Sequence, residues 1–223
     1  MKKKLINIYI DFKSPYAYLA IEPSIKFANN NKLKINWLPY VLEIPDFLGS
    51  AKVDDQGNVI ESNRNNHQWR RVKYSYMDCR RHANMRNIIV RGPQKIWNTQ
   101  LISIALLWTK NNNFELTKSF INHVFKNFWK RELDIENYNV INNVLKDIGI
   151  ITNGFEDWSI HEGKRELEIV MNEANENGVF GVPSYFINNE LFWGREHLPM
   201  IKARLTGNYD ELIIFRSDDI ETT

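Results

Sequence analysis

The chain has 223 residues, 43% of them hydrophobic, with 29 basic and 27 acidic residues and a formal net charge of +2. This length is sufficient to bury a core, and the near balance of charge argues against a nucleic-acid partner. The single cysteine, Cys79, excludes an internal disulfide, a CxxC redox pair and a metal site built from several cysteines. The five histidines show no metal-ligand spacing, so we expect no metal.

The N-terminus is not expected to be a targeting segment. Its three lysines precede an apolar run that is short, alternates with polar residues and ends at Asp11. No apolar stretch approaches the roughly 20 residues that a membrane span requires. We therefore expect a cytoplasmic protein without a membrane partner.

The first 45 residues predict a βαβ unit. Residues 5–12 and 32–39 have the pattern of strands, and the segment between them carries an apolar helical face. Ser14 and Pro15 are typical of a helix start, because the hydroxyl accepts an otherwise free amide and proline has no amide to leave unpaired. The free amides and the positive end of the helix dipole also suit an anion such as a thiolate. Taken alone, the pair would be an ordinary cap.

Residues 46–177 predict a long loop followed by helices. Residues 45–61 are rich in Gly, Pro, Asp and Asn, which indicates an irregular loop. About five helices with apolar faces follow it, and Cys79 lies on the apolar face of the first and is expected to be buried. The basic residues elsewhere on that first helix are either solvated or bind a carboxylate ligand.

The last part of the chain returns to strands. Residues 182–187 and 190–193 predict a hairpin around a two-residue turn, Asn188-Asn189, and a short helix follows. Beyond Gly207 the tail is apolar at residues 212–215 and ends in acidic residues, so we expect its end to be disordered.

This order of elements predicts the fold class. We expect an α/β protein with a thioredoxin-like fold that is interrupted by an all-helical insertion domain. Residues 1–45 and 178–223 would form the thioredoxin-like domain, and residues 46–177 the helical insertion domain.

Three motifs at matching chain positions resemble a known family. They are residues 12–20 (Phe-Lys-Ser-Pro-Tyr-Ala-Tyr-Leu-Ala), 179–186 (Val-Phe-Gly-Val-Pro-Ser-Tyr-Phe) and 192–198 (Phe-Trp-Gly-Arg-Glu-His-Leu). Together they resemble the 2-hydroxychromene-2-carboxylate isomerases and the related kappa-class glutathione transferases over essentially the whole chain. The resemblance implies a thioredoxin-like sheet and glutathione as the bound cofactor.

The resemblance also implies roles for individual residues. Ser14 would be the catalytic hydroxyl, in contact with the glutathione sulfur. Val182, before a Pro183 expected to be cis, would pair its backbone with the cysteinyl part of glutathione. The stretch that would hold the γ-glutamyl end of glutathione consists of Trp193, Gly194, Arg195 and Glu196. Asn63 and Arg64 match a pair near the substrate. Trp97 matches an aromatic substrate contact.

One of these motifs departs from the isomerase pattern. The isomerase-type sequence Trp-Gly-Asn-Asp-Arg is replaced by Trp-Gly-Arg-Glu-His at residues 193–197, which changes the polar contacts of that loop. Relatives are commonly dimers, and the apolar tail near Ile213 and Ile214 is a candidate interface for a homodimer.

A free thiol has a pKa of about 8.5, and a hydroxyl donor at a helix N-terminus favours its thiolate. The resemblance therefore implies glutathione-dependent isomerisation, by reversible thiolate addition to a conjugated aromatic acid, and this physical argument supports it. Lys52, Arg64 and Lys95 are the candidates for binding the substrate carboxylate, and the sequence does not choose among them.

Other functions remain open at the level of sequence. The same residues would serve a kappa-class-like glutathione transferase, and the fold would also suit a non-enzymatic protein that binds thiols or peptides. A disulfide oxidoreductase is disfavoured because that chemistry requires a second sulfur, whereas this chain has Ser14 and Ala17 at the start of the helix.

Overall fold

The computed structural model describes residues 4–54 and 56–212. The candidate interface at Ile213 and Ile214 lies outside the described residues. Within the described ranges, no helix combines the length and the apolar character that crossing a membrane requires.

A four-stranded sheet joins the two ends of the chain. β1 runs parallel to β2 and antiparallel to β5, which pairs with β6 in an antiparallel hairpin, so the strand order is β2-β1-β5-β6. The predicted Asn188-Asn189 turn is confirmed, since both residues have the positive φ that such a turn requires. The strands are β1 (Leu5–Ile10), β2 (Lys34–Pro39), β3 (Ala51–Val53), β4 (Val59–Ser62), β5 (Ser184–Ile187) and β6 (Glu190–Trp193).

The helices between β2 and β5 form an aromatic-rich core against the sheet. α4 is buried almost all round, as predicted, and packs against α8 and β2. The prediction missed α7, whose first residue follows a glycine with positive φ. The helices are α1 (Pro15–Asn30), α2 (Ile44–Leu48), α3 (Asn66–Asn84), α4 (Gln100–Asn112), α5 (Thr117–Phe128), α6 (Tyr138–Asp147), α7 (Phe155–Ile160), α8 (Glu162–Glu176) and α9 (Leu198–Thr206).

The prediction of an irregular loop over residues 45–61 was wrong. This segment contains α2 and an antiparallel hairpin of β3 and β4. Its polar residues form the hairpin turn, in which the amide of Asn58 donates to Asp54 Oδ1 at 2.7 Å and the amide of Asp54 donates to the Asn58 carbonyl at 2.9 Å. The hairpin is held to the rest of the protein because the amide of Val53 donates to the Gln94 carbonyl at 2.9 Å.

Candidate active site

A buried aspartate fixes the turn between β1 and α1. Asp11 has no exposed surface, and its carboxylate accepts the amides of Lys13 and Leu42 at 3.2 and 2.8 Å. Its carbonyl accepts the amide of Ser14 at 3.0 Å. The turn therefore ties the end of β1 to the segment after β2 and sets the position of Ser14.

Ser14 caps α1, as the sequence predicts. Its Oγ accepts the amide of Ala17 at 3.2 Å, and Pro15 is the first residue of the helix. A hydroxyl has one proton to donate as well as lone pairs to accept with, and no described residue accepts the Ser14 proton. The side chain can therefore donate a hydrogen bond to an anion at the positive end of a 16-residue helix.

The segment before β5 offers backbone groups near this hydroxyl. The peptide bond between Val182 and Pro183 is cis. The antiparallel pairing with β1 extends only to Ser184, which lies opposite Tyr9, so Val182 stands beyond the ladder. Because it also lines the same cavity as Ser14, its amide and carbonyl can pair with an extended ligand there.

Ser14 and Val182 line a cavity of about 550 Å³. Its walls come from the start of α1, the segment around α2 and β3, one side of α3, residues 92–97 and residues 180–182. Such a volume is typical of a small-molecule site. Seven aromatic side chains line it: Tyr16, Phe47, Trp69, Tyr76, Trp97, Phe180 and Trp193.

The charge in this cavity is of one sign. None of the described residues that line it is an Asp or a Glu. A cavity whose charged side chains are all cationic has a positive electrostatic potential, which attracts anions. The cationic residues that line it are Lys13, Arg64, Lys73, Arg80, Lys95 and Arg131.

The three candidates for a substrate carboxylate differ in their surroundings. Lys52 pairs with Glu61 at 2.8 Å and does not line the cavity. Lys95 lines it but forms an ion pair with Glu136. Arg64 lines it with its guanidinium 5.1 Å from the centre of the Trp69 ring, and its Nε donates to the Gly49 carbonyl at 3.4 Å. The structure therefore favours Arg64.

The pKa of Arg64 reflects its position. Burial lowers this pKa, because removal from water penalises the charged guanidinium, and the neighbouring Tyr76 opposes the shift. No carboxylate of the described residues pairs with Arg64. A carboxylate ligand would supply the missing counter-charge, in the bidentate geometry that arginine favours.

The other residues implied by the resemblance divide into two groups. Trp97 and Trp193 line the cavity together with Ser14, Val182 and Arg64. The second group consists of residues that do not line it: Asn63, Pro183, Gly194, Arg195 and Glu196.

Two of the residues outside the cavity have structural contacts. The side chain of Asn63 accepts the amide of Ser50 at 2.6 Å and closes the β3–β4 hairpin. The Glu196 carboxylate folds over Gly194 and occupies the space that a side chain at residue 194 would need. The Nη1 atom of Arg195 is buried and has no partner among the described residues.

The thiol of this chain is not available for chemistry. Cys79 is a fully buried residue of α3, and burial raises its pKa to about 12, a shift that the neighbouring Tyr16 partly opposes. Tyr16 donates its hydroxyl proton to Asp78 Oδ2 at 3.1 Å, and burial raises the pKa of Tyr16 as well. A reactive sulfur in this cavity must therefore come from a ligand.

Lys13 is a cavity residue that the sequence did not reveal. Its ammonium lies 3.4 Å from Asp11 Oδ2 and 3.3 Å from Thr99 Oγ1, and its side chain is only 9% exposed. The i to i+2 spacing of Asp11 and Lys13 was the available signal. The contact with Thr99 joins residues 86 positions apart and leaves no local trace in the sequence.

Comparison with known proteins confirms the fold and the resemblance. The model of the DsbA-like thioredoxin domain matches residues 5–206. A 2-hydroxychromene-2-carboxylate isomerase of Sphingobium xenophagum is 25% identical over 91% of this chain and 98% of its own. One of Pseudomonas species strain C18 is 27% identical over 91% of each chain.

A solved structure shows the same architecture. It is that of a 2-hydroxychromene-2-carboxylate isomerase, which superposes with a TM-score of 0.68 and 21% identity over 90% of this chain and 94% of its own. The thioredoxin-like fold with a helical insertion, predicted from the order of elements, is thereby confirmed.

Proposed function

Because the chain belongs to the DsbA-like thioredoxin domain family and is similar to named isomerases, we propose that it is a glutathione-dependent isomerase. Its substrate is a conjugated aromatic carboxylic acid. The observation that carries the proposal is the Ser14 hydroxyl, whose proton no described residue accepts. It lies at a helix N-terminus beside an aromatic cavity in which every charged residue of the described lining is a Lys or an Arg.

The residues near Ser14 fit glutathione. This tripeptide is an anion with one thiol and an extended backbone, and the site offers a hydroxyl donor, a helix N-terminus and the backbone of Val182, which lies beyond the strand ladder. When bound, glutathione would supply a nucleophilic sulfur that adds reversibly to a conjugated double bond and so permits rotation about it. Ser14 donates a hydrogen bond to that sulfur and favours its thiolate form.

The aromatic part of the cavity suits the substrate. Trp69 and Trp97 offer flat apolar faces, and Trp97 is held edge-on by Phe128 at 5.6 Å between ring centres. Arg64 lies over Trp69 and can bind a carboxylate while the substrate ring packs against the indoles. Such a cavity orients a planar acid beside the sulfur and limits its contact with water.

The proposal predicts glutathione binding and glutathione-dependent turnover. Calorimetric titration of the purified protein with glutathione should give saturable binding, while ultraviolet absorbance reports thiolate formation. Addition of 2-hydroxychromene-2-carboxylate should then give isomerisation that stops when glutathione is removed by gel filtration and returns when it is restored.

The outcomes of this experiment separate the alternatives. Glutathione-dependent turnover that returns the thiol supports the isomerase. Accumulation of a stable glutathione conjugate would instead identify a transferase, and binding without turnover would indicate a thiol-binding protein. No binding in the millimolar range would overturn the proposal.

Replacement of Arg64 tests the substrate end of the site. In Arg64→Gln we expect KM for the aromatic acid to rise roughly 10- to 150-fold, since a charged hydrogen bond contributes about 1.5–3 kcal/mol, with little change in kcat. Steady-state kinetics at saturating glutathione measures both constants. The matched control is Arg71→Gln, which removes an exposed arginine of α3 outside the cavity. A similar rise in KM for both variants would exclude a specific role for Arg64.

A further inference from the structure

The ion pair of Asp11 and Lys13 lies at the turn that carries Ser14. Asp11 is fully buried and Lys13 lines the cavity, next in sequence to Ser14. The carboxylate also accepts two backbone amides, which hold it in place beside the ammonium. Lys13 therefore joins a buried carboxylate to the cavity at the residue next to Ser14.

The ammonium of Lys13 retains a donor for a ligand. An ammonium has three N–H groups, and the described contacts of Lys13 Nζ are Asp11 Oδ2 and Thr99 Oγ1. Both partners are fully buried, and both lie outside the cavity lining. They fix the side chain in place, so a bound anion would be stabilised without the cost of ordering a flexible lysine.

Lys13 differs from the other cavity cations in its position in the fold. Arg64, Lys73 and Arg80 belong to α3 and the residue preceding its cap, and Lys95 and Arg131 lie in later parts of the helical insertion. Lys95 is occupied by Glu136, and the Nε of Arg131 donates to the Gly92 carbonyl at 2.8 Å. Only Lys13, among the described cavity cations, belongs to the same turn as Ser14.

We propose that Lys13 is a second activating group of the thiol site, whose ammonium stabilises the thiolate of glutathione bound at Ser14. This inference rests on the proposed function. The proton of the thiol leaves to solvent, and the ammonium keeps its own protons throughout. A cation held close to a thiol raises the fraction present as thiolate at neutral pH.

The test is a pH titration of the thiolate absorbance of bound glutathione. In Lys13→Met we expect the pKa of the bound thiol to rise by about one pH unit, because an opposite charge within a few ångströms is lost. The remaining cavity cations, Tyr16 and Tyr76 are unchanged. The charge left on Asp11 could also raise the pKa of the thiol, so the double variant Asp11→Asn with Lys13→Met, which removes that charge, should show the same direction of shift. Binding of S-methylglutathione, which has no thiol to ionise, should stay within about twofold of the wild type.

Three variants keep the experiment interpretable. Asp11→Asn with Lys13→Met removes both charges and keeps an acceptor for the Leu42 amide, so it serves if the single variant does not fold. Lys13→Arg keeps the charge and should retain most of the thiol activation. Lys26→Met removes an exposed lysine of α1 and should change nothing.

The outcomes distinguish this inference from the proposed function. If the wild type does not bind glutathione, the proposed function fails and this inference with it. If the wild type binds glutathione and the thiol titrates identically in the wild type, Lys13→Met and the double variant, the role of Lys13 alone is overturned. Equal losses of glutathione and S-methylglutathione binding would show a merely structural role.

Discussion

Ser14→Ala is expected to lower kcat for glutathione-dependent isomerisation about 100-fold, the usual effect of removing a hydrogen-bond donor aimed at developing or bound negative charge. The variant loses a hydroxyl at the N-terminus of α1 whose proton no described residue accepts. The thiolate fraction of bound glutathione should fall in parallel. Kinetics at saturating glutathione, together with the ultraviolet titration, measure the two effects.

The cap and the catalytic role of Ser14 can be separated. Alanine removes both, and the lost cap should cost about 1 kcal/mol of stability. Ser14→Gly lacks the hydroxyl but caps a helix almost as well as serine, so it should keep stability within a few tenths of a kcal/mol and still lose turnover. Ser14→Thr keeps the hydroxyl and the cap. A fully active Ser14→Gly would show that the hydroxyl has no part in the reaction.

Local patterns predicted most of the fold. The strand before Ser14, the Ser14-Pro15 helix start and the Asn188-Asn189 turn each depend on neighbouring residues, and the structure has all three. The hairpin at residues 51–62 escaped prediction because its strands are short and mostly exposed. Its polar turn residues have the composition of a loop, and tertiary contacts such as that of Val53 with Gln94 hold it.

The charges of the site show where sequence reasoning stops. The sequence does not indicate which of Lys52, Arg64 and Lys95 binds a substrate carboxylate. In the structure, Glu61 pairs with Lys52 across the β3–β4 hairpin, and Glu136, which precedes α6, pairs with Lys95, whereas Arg64 has no such partner among the described residues. Lys13 was missed for the same reason, since its contact with Thr99 exists only after the helical insertion packs on the turn.

Lys13→Met is expected to destabilise the fold by about 3 kcal/mol at neutral pH, because removing one partner of a buried ion pair leaves the other charge uncompensated. The remaining charge is that of Asp11, which is fully buried. In the wild type, burial already raises the pKa of Asp11, while Lys13, the Leu42 amide and the hydroxyl of Thr99 lower it. Loss of the ammonium removes the largest of these opposing contributions.

The sign of the pH dependence follows from that shift. A carboxyl whose pKa is higher in the folded than in the unfolded state binds its proton more tightly when folded, so stability falls as pH rises through the folded pKa. The pKa of Asp11 is expected to be higher in the variant than in the wild type. The stability deficit of Lys13→Met should therefore be small in acid and grow toward neutral pH, which urea unfolding at several pH values measures.

The double variant completes this prediction independently of any ligand. Asp11→Asn with Lys13→Met carries no charge at residues 11 and 13, so its free energy of unfolding should not show the fall between acid and neutral pH that is expected for Lys13→Met. If Lys13→Met instead lost the same stability at every pH, the ammonium would act through packing alone. The turn would then be held by the hydrogen bonds between Asp11 and backbone amides, and the charge of Lys13 would not contribute to the stability of the fold.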